Sequence, residues 1–470
     1  MWTGFHFVPE STVKIKKNGG IDMSQAVGVK RIDILIEGAT IISPGLGGSD
    51  EKMAVVDEGA IAIDGERIAY AGPSPAPLEF RNARKRIDAS CLIALAGFVN
   101  THTHAAMTLL RGYADDMVLM DWLNKKIWPI EAHLDSEDVY WGAMLACVEM
   151  IRAGVTTFAD QYFFMDDTAK AVRDSGIRAC LSRGLIATSP DSSQALRENI
   201  ELCQTWDGAA NGRITTMLGP HAPYTCPVDF LEKVMEAAEE LGVGMHIHLS
   251  ETLGEVEESR AKHGGMSPIE LMDSIGLFGF RTLAAHCVHV SAKDIEILSS
   301  KGVGVAHNPG SNMKIASGVA PVPAMLRAGV KVGLGTDGAC SNNNLDLLEE
   351  ARLAAFLHKV ANNDPTVIPA EQALTMATLG GAKAMGMDSD IGSLEPGKKA
   401  DIILLDMNKP HMYPKHDLTS HIVYSARASD VTTVIINGEL VMEDGVLTGI
   451  DEQEVLQTAE ERAKALVRKA

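Results

Sequence analysis

Two histidines one residue apart close an apolar run, Gly97-Phe98-Val99-Asn100-Thr101-His102-Thr103-His104. On a strand, side chains at i and i+2 share a face, so His102 and His104 point the same way. Two imidazoles on one face at a strand's exit form half of a metal site. Three more apolar runs end in ligand types. Met245-His246-Ile247-His248-Leu249-Ser250-Glu251 puts His246 and His248 on one face, while Ala284-Ala285-His286 and Gly335-Thr336-Asp337 end in an imidazole and a carboxylate. Histidines and an aspartate at successive exits match a mononuclear zinc or iron site. An isolated His-x-His is more often a hydrogen-bonded pair at a core edge; ligand types at several separate exits favour the metal.

The remaining histidines are read against this set. His246 lies one layer deeper than His248 and is expected to be a hydrogen-bonded core residue. His289 is expected at the surface or behind the site. His133, His263, His358, His411, His416 and His421 lack ligand company and are taken as ordinary. Glu251, just past the strand, can reach the substrate side of a metal without ligating it, where a proton shuttle belongs. The alternative for Glu251 is a solvated loop glutamate.

The elements that must position these groups alternate. Eight strand candidates, Ala94–Asn100, Val155–Asp160, Ile177–Arg183, Ile214–Gly219, Val243–Leu249, Thr282–His286, Gly302–Ala306 and Val332–Gly335, are separated by helical stretches such as Ser136–Ala153, Asp229–Leu241 and Ala320–Ala328. This pattern predicts a (β/α)8 TIM-type barrel over 95–390, with chemistry at the C-terminal strand ends. An open doubly wound sheet would need a Gly-rich phosphate loop after its first strand, and none follows this one. Before and after the barrel come hairpin signals, Asp64-Gly65 and Asn437-Gly438, each between apolar runs. They predict one small β-sandwich domain built from both chain ends, 29–94 and 391–450. Residues 1–28 read as a flexible extension. The stretch 451–470 reads as a helix with Val455, Leu456, Ala459, Ala463 and Leu466 as its stripe.

Bulk properties narrow the function. A formal net charge of -20 over 470 residues disfavours nucleic acid and anionic membrane as partners. The seven cysteines include no C-x-x-C pair, which argues against a structural zinc knuckle and for a reducing compartment. Lys14, Lys16 and Lys17 precede no apolar core of a signal peptide, and no apolar run approaches the ~20 residues that span a bilayer. A cytoplasmic location is expected.

Several motifs together resemble the amidohydrolase superfamily, in its branch of methylthioadenosine/S-adenosylhomocysteine deaminases near the triazine hydrolases. They are the run ending in His102 and His104, His246 to Glu251, His307-Asn308-Pro309-Gly310-Ser311-Asn312, Gly335-Thr336-Asp337-Gly338 and Pro396-Gly397-Lys398-Lys399-Ala400-Asp401. The resemblance spans about 30 to 450 and implies a metal-bearing barrel with a β domain from both ends. It implies that His102, His104, His248 and Asp337 bind one divalent metal, zinc before iron(II). Ile214 to Cys226 contains no lysine, which favours one metal over two. By motif match, Glu131 is the expected ribose-binding glutamate, His221 the purine-contacting histidine and Trp122 an apolar pocket wall. Arg183, with Arg197, is the expected partner of a carboxylate at the far end of the nucleoside. The reaction implied is hydrolytic deamination at C6 of an adenine nucleoside, with Asp337 and His286 acting on the water and Glu251 on ring N1, in a homo-oligomer. The alternatives are a guanine deaminase or triazine hydrolase, which have no ribose for Glu131 to hold, and a catalytically inactive barrel scaffold.

Overall fold

The computed structural model describes residues 31–46, 48, 52–187 and 192–469. The expected extension over 1–28 lies outside them.

Eight parallel strands follow one another in chain order: Phe98–Thr103, Val155–Tyr162, Arg178–Leu185, Ile214–Pro220, Gly244–Leu249, Thr282–His286, Gly304–His307 and Lys331–Leu334. The first two are buried along their whole length, because helices cover the barrel outside and side chains fill it inside. Asn100 and Thr101 close the circle between the eighth and first strands. Thr101 Oγ1 donates to the Leu334 carbonyl at 2.8 Å, Asn100 Nδ2 bonds Thr336 Oγ1 at 2.8 Å, and Asp337 N–H reaches the His102 carbonyl at 2.9 Å. Gly335 permits that approach: a Cβ there would lie 2.9 Å from the His102 amide nitrogen. Val99, Ala159, Cys180, Met217, Leu283 and Ala306, from six different strands, meet in one buried cluster with Ala382 and Met385 of the helix Leu379–Met385. Only the inside of a closed barrel brings those strands together.

The strand expected over Ala94–Asn100 is two strands. Leu92–Ala96 belongs to a nine-stranded sheet, the barrel strand begins at Phe98, and Gly97 joins them. A Cβ at Gly97 would fall 2.1 Å from Thr156 Cγ2, so the chain crosses between the two sheets where no side chain fits. An unbroken apolar run hides this boundary. In the nine-stranded sheet, Leu92–Ala96 pairs in parallel with Ile32–Pro44 from the N-terminal side and antiparallel with Ile402–Asp406 from the C-terminal side. Both chain ends therefore build one sheet.

Its alternation explains why both faces are apolar. Ala94, Ala96, Ile402 and Leu404 join the sheet's own core, while Ile93, Leu95, Ile403 and Leu405 join the large core shared with the barrel helices. The C-terminal helix Glu452–Val467 packs on Ser136–Arg152, a helix begun by an Asp135–Asp138 capping box. Val455, Ala459 and Leu466 face inward there, but Leu456 is 44 % exposed and leaves the expected stripe. Among the described residues, no helix is long and apolar enough to cross a membrane.

Candidate metal centre and adjoining cleft

His102, His104, His248, His286, Glu251 and Asp337 converge at the C-terminal ends of strands one, five, six and eight. Ligand atoms of His102, His104 and His248 lie within 4.8 Å of one another, as do those of His102, His286 and Asp337. Asp337 Oδ1 is 3.5 Å from His102 Nε2 and 3.3 Å from His104 Nε2.

The bonds behind the rings decide which nitrogen faces inward. His104 Nδ1 lies 2.6 Å from the Gln161 carbonyl and His248 Nδ1 2.7 Å from the His221 carbonyl. A carbonyl only accepts, so both hydrogens sit on Nδ1 and each Nε2 presents a lone pair to the centre. His102 Nε2 is buried with no hydrogen-bond partner among the described residues, an orphan a cation would satisfy. Burial holds the His102 imidazole down at about 4 and His248 well below its usual value. Burial works against the Asp337 carboxylate, yet His102, His104 and His286 around it hold it well below the usual range. Ser311 Oγ–H at 2.7 Å and Gly338 N–H at 2.8 Å also donate to it. Neutral imidazoles beside a held carboxylate fit a divalent metal.

His286 stands between two acids. Its Nε2 is 3.9 Å from Glu251 Oε2 and 3.9 Å from Asp337 Oδ2, and its Nδ1 is 2.9 Å from Asn312 Oδ1. Burial would lower its pKa, but the carboxylates of Glu251 and Asp337 win and raise it. Burial raises Glu251, against the neighbouring His286. Positive φ occurs at three of the same exits, Ser250 (53°), His286 (73°) and Asp337 (62°). None of the three is glycine, and strain held at such positions marks functional sites.

A cleft opens over the cluster. Trp122, Glu131, His221 and Glu251 all line it, together with Leu119, Leu123, Trp128 and Ile127. Trp122 Nε1–H donates to the Ala114 carbonyl, which turns the ring's apolar surface to the cleft. Tyr162 Oη–H donates to Glu131 Oε1 at 2.7 Å, and burial pushes the Glu131 carboxyl up to about 7 against that bond.

Arg183 is not among the lining residues. It pairs with Glu198 at 3.0 Å, stacks 5.1 Å over the Phe163 ring, and lines an adjoining hollow that shares Trp128, Glu131 and Phe163 with the cleft. Arg197 bonds Gln194 on an exposed helix face. His246 is buried behind His102 as expected, and His289 bonds the Ser317 carbonyl. His358 is fully buried, with Nε2 3.1 Å from His307 Nε2, and joins no candidate metal cluster among the described residues. Sequence reasoning missed Gln161 and Tyr162, although a polar pair ending the apolar strand Val155–Tyr162 is the same signal that marked the other exits. It also left Ser311 and Asn312 without roles, because both work by supporting Asp337 and His286.

The amidohydrolase family profile matches residues 93–441. The chain belongs to the amidohydrolase family. A 5-methylthioadenosine/S-adenosylhomocysteine deaminase of Pelotomaculum thermopropionicum is 53% identical over 436 residues, 93% of this chain and 99% of that protein. An adenosine deaminase from Xanthomonas campestris, solved with bound zinc, is 34% identical with a TM-score of 0.89, covering 94% of this chain and 100% of its own. An atrazine chlorohydrolase from Arthrobacter aurescens, complexed with zinc, shares the amidohydrolase fold at a TM-score of 0.84 and 24% identity, covering 92% of this chain and 100% of its own.

Proposed function

We propose that this amidohydrolase removes the 6-amino group of an adenine nucleoside, taking S-adenosylhomocysteine, methylthioadenosine or adenosine to the inosine analogue and ammonia. The observation that carries the reading is that one cleft holds an acid beside the metal centre, Glu251, and a second carboxyl held by a tyrosine, Glu131. The names of the 5-methylthioadenosine/S-adenosylhomocysteine deaminase and adenosine deaminase relatives support it.

His102, His104, His248 and Asp337 would hold one divalent ion, zinc first and iron(II) second by donor type. When bound, such an ion supplies Lewis acidity that lowers the pKa of a water to about 7. The chain's own groups do the rest. Asp337, kept ionised by its neighbours, accepts the proton of the attacking water. His286, oriented by Asn312, directs that water. Glu251, its pKa raised by burial, gives a proton to ring N1, which draws electrons from C6 as the water oxygen attacks. As the tetrahedral intermediate collapses, the amine takes the proton held by Asp337 and leaves as ammonia, and the hydroxyl proton returns to Glu251. Glu131 holds the ribose hydroxyls, His221 meets the purine and Trp122 packs on the apolar side. Arg183 meets a carboxylate at the 5′ end, exchanging Glu198 for it.

Rates on S-adenosylhomocysteine, methylthioadenosine, adenosine, guanine and a chlorotriazine, with metal content measured on the same sample, test the reading. Turnover of the three nucleosides is expected to exceed that of the two free heterocycles. The reverse order would replace the reading with a guanine deaminase or triazine hydrolase.

A further inference from the structure

His102 differs from the other two histidine ligands in what fixes its hydrogen. His104 and His248 face backbone carbonyls, which only accept. His102 Nδ1 instead faces His246 Nε2 at 2.8 Å, an atom able to give or take. The direction is set two residues further back. Ser182 Oγ–H donates to the Asp160 carbonyl at 2.8 Å, and a hydroxyl has one hydrogen. Its oxygen can then only accept from His246 Nδ1, 3.4 Å away. With its hydrogen on Nδ1, His246 offers a lone pair at Nε2, takes the His102 Nδ1 hydrogen, and leaves His102 Nε2 bare toward the centre. Both nitrogens of His246 are occupied, so His246 is no ligand. Asp160, Ser182, His246 and His102 are all buried, with no more than 1 % of any of them exposed, which keeps competing water from the chain. Gln161 Nε2–H donates to the His246 carbonyl at 2.7 Å and fixes the backbone that carries the ring.

We infer that the Asp160 carbonyl, Ser182 and His246 form a hydrogen-bond wire that holds His102 in its metal-binding tautomer and thereby sets metal affinity. The inference rests on the ligand set proposed above. His246 and Ser182 are positioning residues, and outer partners of metal-bound histidines typically carry 10- to 100-fold in affinity.

The test titrates metal-free full-length protein with Zn²⁺ alone against a chromogenic chelator and records the melting temperature of each metal-free variant. Wild type is expected to take about one equivalent and His104→Ala to lose it. His246→Leu, with no acceptor, should weaken zinc about 10- to 100-fold. His246→Gln should recover most of the affinity, since its amide oxygen can take the His102 hydrogen. Ser182→Ala should weaken zinc severalfold with an unchanged metal-free melting temperature. Should His246→Leu fail to fold, His246→Gln and Ser182→Ala decide the matter. Wild-type affinity in Ser182→Ala, or a loss in His246→Gln as large as in His246→Leu, overturns the wire while leaving the ligand set intact. Zinc retained by His104→Ala, or no zinc in wild type, overturns the ligand set and the wire with it.

Discussion

Glu251 lies with one oxygen 3.9 Å from His286 Nε2 and the other 3.4 Å from Ser317 Oγ, in a site where burial favours its protonated form. Glu251→Gln keeps the shape and loses the transferable proton. Turnover of methylthioadenosine is expected to fall by about 10²–10⁴-fold with metal content unchanged. Because the acid form is the active one, kcat/KM should decline as pH rises through the raised Glu251 pKa. The residual rate of Glu251→Gln should lack that decline. Arg183 gives a prediction of a different kind. Arg183→Met should raise KM for S-adenosylhomocysteine about tenfold, the scale of one charge-assisted bond, and leave methylthioadenosine unaffected. Equal KM changes for both would remove Arg183 from the site. The residues proposed to touch a metal or reacting atom were legible in the sequence because strand exits expose them as polar breaks in apolar runs. Ser182, Ser311, Asn312 and Tyr162 were not, since a hydroxyl or amide that supports another side chain looks like any other polar residue until the fold brings the pair together.

At the scale of elements, the short helix Pro309–Lys314 after the seventh strand is pinned from behind. Glu350, fully buried on the helix Leu347–Asn362, accepts from Gly310 N–H at 2.9 Å and Asn342 Nδ2 at 2.9 Å. Gly310 is followed by Ser311 and Asn312, which hold Asp337 and His286. Among the described residues no cation joins the Glu350 pair of bonds, and burial pushes its carboxyl up to about 8. The unfolded chain releases that proton near the ordinary glutamate value of about 4.3, so Glu350 contributes stability below that value and loses it as pH rises toward 8. The stability difference between wild type and Glu350→Gln should shift against wild type across this window, by at most about 1.4 kcal/mol per pH unit. Denaturant unfolding at several pH values measures it, and a flat difference would contradict the account. Strand and helix positions were readable from periodicity, and the Asn437-Gly438 turn from its φ demands; the first hairpin turns one residue later than expected, at Gly65-Glu66, with Asp64 paired to Arg67. The boundary at Gly97 was not, because both strands it joins are buried and apolar.

At the scale of the whole molecule, a buried ion pair sits opposite the chemistry. Arg178 opens the third barrel strand at the end away from the metal centre. Its guanidinium holds Asp401 at 2.9 and 3.1 Å and Asn437 at 3.1 Å, tying the barrel to the nine-stranded sheet. Arg178 and Asp401 are 2 % and 4 % exposed, so Arg178→Met leaves a buried carboxylate unpaired. A loss of about 3–5 kcal/mol is expected in unfolding experiments, with kcat of the folded fraction unchanged. That both ends of the chain meet in one sheet was legible from the two hairpins; that this sheet shares its core and a buried ion pair with the barrel required the three-dimensional register.

Metal-dependent deamination of an adenine nucleoside is tested most directly by ammonia release from methylthioadenosine, followed on one sample before chelation, after chelation and after zinc is restored. One ammonia per 6-oxo product is predicted, abolished by removing the metal and recovered at about one equivalent of zinc. Full ammonia release by metal-free protein, or none from the zinc-restored protein, would contradict it.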